Sequence, residues 1–178
     1  MQRRAFIAGL ALAALRPTLL NAQEAPSAAG QAIPISPRRP VNGLQVFDEN
    51  GAAVLLEAYR GKMVVLNMWA TWCLPCRLEM PSLSRLYEKA GKDGIVVLPV
   101  AFDWRGVEGV RKFYSELGIT NLPVMTGDGD NLKSVLQMTG LPSTAIIDRQ
   151  SLHAVTVIGE AVWDDDMTVD WLRRLAAS

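Results

Sequence analysis

The apolar positions of this chain fall into short unbroken runs that alternate with stretches of helical spacing. Lys62-Met63-Val64-Val65-Leu66-Asn67-Met68 is such a run, apolar and β-branched, and it predicts a buried strand. Gly94 to Phe102 repeats the pattern, with Pro99 removing one ladder donor. Leu44–Phe47 and Ala53–Leu55 predict two short strands around the turn Asp48-Glu49-Asn50-Gly51, an N-terminal β-hairpin. Helical spacing runs from Arg77 to Ala90, with Leu78, Leu83, Leu86 and Tyr87 offered to one face. Two further helices are expected over Val107–Leu117, stopped by Gly118, and over Asn131–Met138, stopped by Gly140. A last one spans Met167–Ala176, where Asp164, Asp165 and Asp166 suit the positive end of its dipole. Short strands are predicted at Leu122–Thr126, Ser143–Asp148 and Ala154–Ile158, the last two pairing with each other. This alternation is the α/β pattern: a central sheet with helices on both faces. No internal repeat is present.

Composition alters the picture at the N-terminus. Arg3 and Arg4 precede the apolar stretch Ala5–Leu15, and Leu20-Asn21-Ala22 offers a cleavage point, so residues 1–22 read as an export signal peptide. The stretch ends at Arg16-Pro17, well short of the ~20 apolar residues that cross a bilayer. An uncleaved, membrane-anchored form is the alternative. Arg3-Arg4-Ala5-Phe6-Ile7 resembles a twin-arginine signal with Gln2 in place of the usual Ser or Thr, leaving Sec and twin-arginine export both open. Residues 23–40, rich in Ala, Pro, Ser and Gly, have the composition of a flexible linker. The remainder, 41–178, is expected to be one domain. The 18 basic and 18 acidic residues balance, which gives no reason to expect nucleic acid or an anionic membrane surface as partner. Cleavage after Ala22 removes three arginines and no acid, leaving a net charge of −3.

The chemistry sits in the cysteines. There are two, Cys73 and Cys76, so no disulfide framework holds the fold. They lie in Trp69-Ala70-Thr71-Trp72-Cys73-Leu74-Pro75-Cys76, between a predicted strand and a predicted helix. That junction puts the first sulfur at a helix N-terminus, where unpaired N–H groups and the dipole favour thiolate over thiol. Cys73 is therefore the expected nucleophile and Cys76, within the first turn, the resolving partner. Pro75 restricts the backbone between them and also suits helix initiation. Zinc needs three or four ligands. Two cysteines and the lone His153, read as a surface residue in a turn, do not supply them, so no metal and no cofactor is expected. Trp69 is expected beneath the sulfurs and Trp72 beside them, more exposed and open to a docking partner. Trp104, Trp163 and Trp171 are read as packing residues, and the scattered methionines as core filler.

Val64 to Cys76 resembles the active-site signature of the thioredoxin superfamily. The continuation Arg77-Leu78-Glu79-Met80-Pro81 and the exported N-terminus make the chain most similar to the TlpA/ResA branch of bacterial extracytoplasmic thiol–disulfide oxidoreductases. The resemblance covers roughly 41–175. It implies a thioredoxin-like fold with a mixed sheet and an extra strand and helix between Cys76 and Pro142. It places Pro142, in Gly140-Leu141-Pro142-Ser143-Thr144, as a cis-proline facing a Cys73–Cys76 redox disulfide, with Leu141 backbone available to an extended substrate; Trp72, Leu74 and Pro75 complete the expected substrate contacts. It gives Glu79 as a proton acceptor for Cys76, the alternative being a solvated helix glutamate. Asn67 stands where thioredoxin itself carries a buried acid, which moves the acceptor role to Glu79 or water. The Gly-Val-x-Gly-x-Pro-Glu-type loop of cytochrome c maturation thioredoxins is not found near Pro142, nor the peroxiredoxin Pro-x-x-x-Thr-x-x-Cys pattern around Cys73. The implied function is a periplasmic protein-disulfide reductase acting on exported proteins, by analogy cytochrome or copper-site assembly factors, and recharged by a membrane thiol transporter. A dithiol oxidase or isomerase, and a copper-binding chaperone using both thiolates, are the alternatives.

Overall fold

The computed structural model describes residues 27–178; the expected signal peptide and its cleavage point lie outside them, as do residues 23–26 of the expected linker. In chain order the strands are β1 Ala32–Pro40, β2 Val46–Phe47, β3 Ala53–Val54, β4 Met63–Trp69, β5 Ile95–Ala101, β6 Met125–Gly127, β7 Ser143–Ile147 and β8 Leu152–Ile158. The helices are α1 Leu74–Ala90, α2 Gly106–Leu117, α3 Gly129–Leu136 and α4 Asp166–Ala177. All strands join one mixed sheet in the order β1-β8-β7-β4-β5-β6-β2-β3. β4 runs parallel to β5 and antiparallel to β7, so the apolar run that opened the sequence argument is the sheet's central strand. The hairpin β2–β3 extends the sheet beyond β6, and β6 with α3 forms the expected insertion.

Every residue of β4 is buried, and the strand pleat sends its side chains alternately to two cores. Met63, Val65 and Trp69 join one core with Met80, Leu83 and Leu86 of α1, Phe113 of α2 and Leu172 of α4. Val64, Leu66 and Met68 join the other with Val46, Ile147 and Leu132 and Leu136 of α3. Each such fully buried side chain contributes about 1.5–3 kcal/mol relative to exposure.

Local signals set the element ends. α1 begins at Leu74, earlier than Arg77, because Cys73 caps it and Pro75 falls in the first turn, where a missing N–H costs nothing. Its buried face is Cys76, Glu79, Met80, Ser82, Leu83, Leu86 and Ala90. Leu78 and Tyr87, expected on that face, lie outside it at 60% and 38% exposure. α3 is capped by Asp128, whose carboxylate accepts from Asn131 N–H at 2.7 Å. It ends at Leu136 with Gln137 left-handed at φ 55°, so it stops short of the Gly140 expected to end it. β6 starts three residues later than expected, at Met125, where pairing with β5 begins.

Three further expectations are corrected. Residues 32–40 do not form a tether: they are β1, antiparallel to β8 from Ala32↔Val157 to Pro40↔Leu152, with a shift between Pro34 and Arg39. Proline is tolerated there because an edge strand bonds its neighbour on one side only. His153 is a buried β8 residue, not a surface residue in a turn. Its Nε2 meets Thr156 Oγ1 at 2.9 Å and Val155 O at 3.1 Å, and burial, then the charge of Arg39, holds its pKa below the ordinary value. Trp104 is not a packing residue but lies 82% exposed.

Candidate active site

The parallel register of β4 and β5 sets Trp69 opposite Ala101, so the segments that follow both strands emerge side by side at the carboxyl edge of the sheet. Phe102 N–H donates to Trp69 O at 2.7 Å and locks the two loops together. One loop carries Thr71-Trp72-Cys73 and the other Asp103-Trp104-Arg105. Thr71 is the joint between them: its N–H donates to Asp103 Oδ2 at 2.8 Å, and its hydroxyl bonds the same oxygen. Desolvation alone would raise the Asp103 pKa, but these bonds, the Arg105 N–H and the Arg105 charge bring it below the usual carboxylate value. Arg77 Nη1 donates back to Thr71 O at 3.2 Å.

Cys73 occupies the N-cap of α1 and is bonded to Cys76, with Cα atoms 5.3 Å apart; the chain is in its oxidised form. Cys76 N–H donates to Cys73 Sγ at 3.3 Å, so the first sulfur sits where a helix terminus stabilises negative charge. The two sulfurs are not equivalent. Cys73 is 7% exposed and lines a groove, whereas Cys76 is fully buried. The groove has a volume of about 660 Å³ and is walled by Met68, Trp72, Pro75, Phe102, Trp104, Thr139, Gly140 and Leu141, with Lys133 at its side. Trp72 is 58% exposed beside Cys73 and Leu74 66% exposed on the first helical turn. The Leu141–Pro142 peptide is cis, and Leu141 lines the same groove as Cys73. Trp69 is fully buried, stacked at 5.8 Å on Tyr114 and 5.1 Å from Phe113.

One turn beyond Cys76 in α1 lies Glu79, 2% exposed. It is not a solvated helix glutamate. Oε1 accepts from Asn67 Nδ2 at 2.8 Å; Oε2 accepts from Trp163 Nε1 at 3.0 Å and from Ala161 N–H at 3.3 Å. Asn67 Nδ2 also donates to Thr144 Oγ1 at 2.9 Å, tying the carboxyl to the strand that follows Pro142. Burial pushes the Glu79 pKa up to about 7. The three hydrogen bonds oppose that rise and the charge of Glu160 adds to it. A carboxyl that gains and loses its proton near neutrality suits proton exchange with a thiol.

The structure thus brings Cys73, Trp72, Pro75 and Leu141 to one groove, with Cys76 buried and bonded to Cys73, Pro142 following Leu141 through a cis peptide, and Glu79 one turn along α1 from Cys76. Sequence reasoning missed Phe102, Trp104, Lys133 and the Thr71–Asp103–Arg105 joint. The available signal was positional, since side chains just past the carboxyl ends of neighbouring parallel strands converge on sites in open α/β sheets. Gly129 supports Phe102: a Cβ there would stand 1.0 Å from the ring's Cζ.

The AhpC/TSA family profile matches residues 37–154. The thiol-disulfide oxidoreductase ResA of Bacillus thuringiensis (strain Al Hakam) is 31% identical over 115 residues, 65% of this chain and 65% of that protein's length. The thiol:disulfide interchange protein DsbE of Pseudomonas fluorescens biotype C is 32% identical over 137 residues, 75% of this chain and 74% of the relative. Among solved structures, a DsbE-type protein from Chlorobium tepidum superposes with a TM-score of 0.62, covering 79% of this chain and 96% of that one at 22% identity, which supports the thioredoxin-like fold. The chain belongs to the AhpC/TSA family, with ResA and DsbE thiol–disulfide oxidoreductases among its relatives.

Proposed function

We propose that this chain is an exported, periplasmic thiol–disulfide oxidoreductase that reduces disulfides in selected exported proteins. The observation that carries this reading is the asymmetry of the pair: Cys73 lines the groove, while Cys76 is fully buried, with the buried Glu79 one turn along the same helix. In the reduced form the Cys73 thiolate attacks one sulfur of a partner disulfide. The partner S–S bond breaks, a Cys73–partner S–S bond forms, and the second partner sulfur leaves as a thiolate. Cys76, giving its proton to Glu79 or water, then attacks Cys73 Sγ. The mixed disulfide breaks, Cys73–Cys76 closes, and the partner's first sulfur leaves. Two electrons pass to the partner, and its two thiolates take up two protons. Trp72, Leu74 and Pro75 flank the attacking sulfur, and Leu141 with Pro142 offers backbone to an extended substrate. A membrane thiol transporter returns the pair to the dithiol. Relatives named ResA and DsbE support the activity class. The test is a trap: Cys76→Ala holds partners on Cys73 as mixed disulfides, recoverable from cells and released by reductant. Absence of any adduct, or adducts that persist in Cys73→Ala, would refute it.

A further inference from the structure

Two cavities lie near the disulfide, one lined by Cys73 and the other by Thr71 and Arg77 on either side of the pair in sequence, and their charges do not match those of the chain, whose acids and bases balance at 18 each. Of the residues lining the groove beside Cys73, the charged one is Lys133. A second cavity of about 350 Å³ lies past Thr71 and carries Arg77, Arg105 and Lys112 against a single acid, Glu116. Glu116 lies 4.0 Å from Arg77, and Asp103 sits against Arg105, accepting its N–H at 2.9 Å. Lys112 and Lys133 form no ion pair among the described residues. The cations rest on the aromatic walls: Lys133 Nζ is 5.3 Å from the Phe102 ring centre, and the Arg105 guanidinium 5.0 Å from that of Trp104. Between them Trp104 is 82% exposed and Trp72 58%. Large exposed rings beside a groove mark a surface that a partner covers. The two lysines without an ion pair, one in each cavity, select that partner's charge.

We infer that the occupant at Cys73 is a disulfide-bearing polypeptide segment with an apolar side chain beside the attacked cysteine and acidic side chains on its flanks, met by Lys133 in one cavity and by Lys112 in the other. The inference rests on the oxidoreductase reading and names its substrate class. Trp72 and Trp104 cover the apolar side chain and exclude water from the exchanging sulfurs. The lysines set orientation and encounter rate, because screened surface charges act more on association than on final affinity.

The experiment compares two peptides that share one disulfide and one apolar neighbour, flanked either by Glu or by Lys. The reduced full-length chain should react with the acidic peptide about tenfold faster at low ionic strength. The gap should narrow as salt rises through about 0.15 M, where the screening length falls to about 8 Å. In the double variant Lys112→Glu/Lys133→Glu the ratio of the two rate constants, read within the variant, should fall to unity or invert. Equal rates for both peptides, or a preference that survives both salt and charge reversal, would overturn the inference. Binding of the same peptides with serine in place of cysteine, measured by calorimetry, reads docking without exchange. Preferred binding of the acidic serine peptide by a chain that reduces neither disulfide would sustain the docking surface and sink the oxidoreductase reading.

Discussion

Replacing Glu79 with Gln removes a charge from the most thoroughly enclosed carboxyl of the site and keeps its shape. In the folded chain Glu79 titrates at about 7 against an ordinary value of 4.5, chiefly because burial penalises its charged form. Between those two pH values the folded chain holds a proton that the unfolded chain has released. Stability is therefore fully present below about pH 4.5, falls as pH rises towards 7, and levels off once both states are ionised. At 1.36 kcal/mol per pH unit the loss amounts to about 3 kcal/mol, a large share of the 5–15 kcal/mol typical of a domain. The new amide has no charge to desolvate, so this contribution vanishes. Its oxygen can accept from Trp163 and Ala161, while its NH₂ faces the Asn67 amide, which flips to turn its buried, unpaired Oδ1 towards both this NH₂ and the Thr144 hydroxyl. Urea unfolding of both oxidised proteins from about pH 4 to about pH 8 reads the effect. Groups such as His153 titrate alike in both and cancel in the difference. The stability of Glu79→Gln relative to the parent should rise by about 3 kcal/mol across the range. A difference that stays flat would show that burial does not hold the Glu79 proton, and would remove it as a proton acceptor tuned to neutrality.

Two other substitutions probe the same architecture. Asn67→Asp places a second carboxyl within hydrogen-bond reach of Glu79 Oε1, now 2.8 Å from the Asn67 amide. The two should share one proton and release it together above the present value of about 7, visible by carbon NMR titration of the side-chain carboxyls; two independent ordinary carboxylates would contradict this. Gly129→Ala puts a methyl group into the Phe102 ring and should cost ~1–3 kcal/mol in urea unfolding, as overpacking does. It should also slow reaction with peptide disulfides by displacing the groove wall; unchanged stability and rate would show that the ring is free to move aside.

The parts of this molecule that were legible in the sequence are those written in local pattern. The buried run before Trp69 became the central strand, and the Cys-Leu-Pro-Cys junction became a capped helix start, because chain neighbours alone determine both. Trp163 lies 84 residues from Glu79, and nothing near either marks their hydrogen bond. Only the sheet order brings them together. The Pro-rich segment failed for the opposite reason: its Ala, Pro, Ser and Gly content gave residues 23–40 the composition of a flexible linker, while an edge strand, which needs bonds on one side alone, accommodates Pro34, Pro37 and Pro40. His153 was misplaced because a lone polar residue between Leu152 and Ala154 looks like a turn until Thr156 and Val155 supply its partners. Trp104 carried no chemical signature of its own. Its role follows from standing beyond β5, beside the loop that carries Cys73.

The most direct test of the reductase reading is the reduction potential of the Cys73–Cys76 pair, measured by equilibrium with a thiol buffer at neutral pH. A value near or below that of thioredoxin, about −270 mV, is the result expected of a protein that delivers electrons to partner disulfides. A value near −120 mV, in the range of the strong oxidant DsbA, would contradict it and assign the pair to disulfide formation instead.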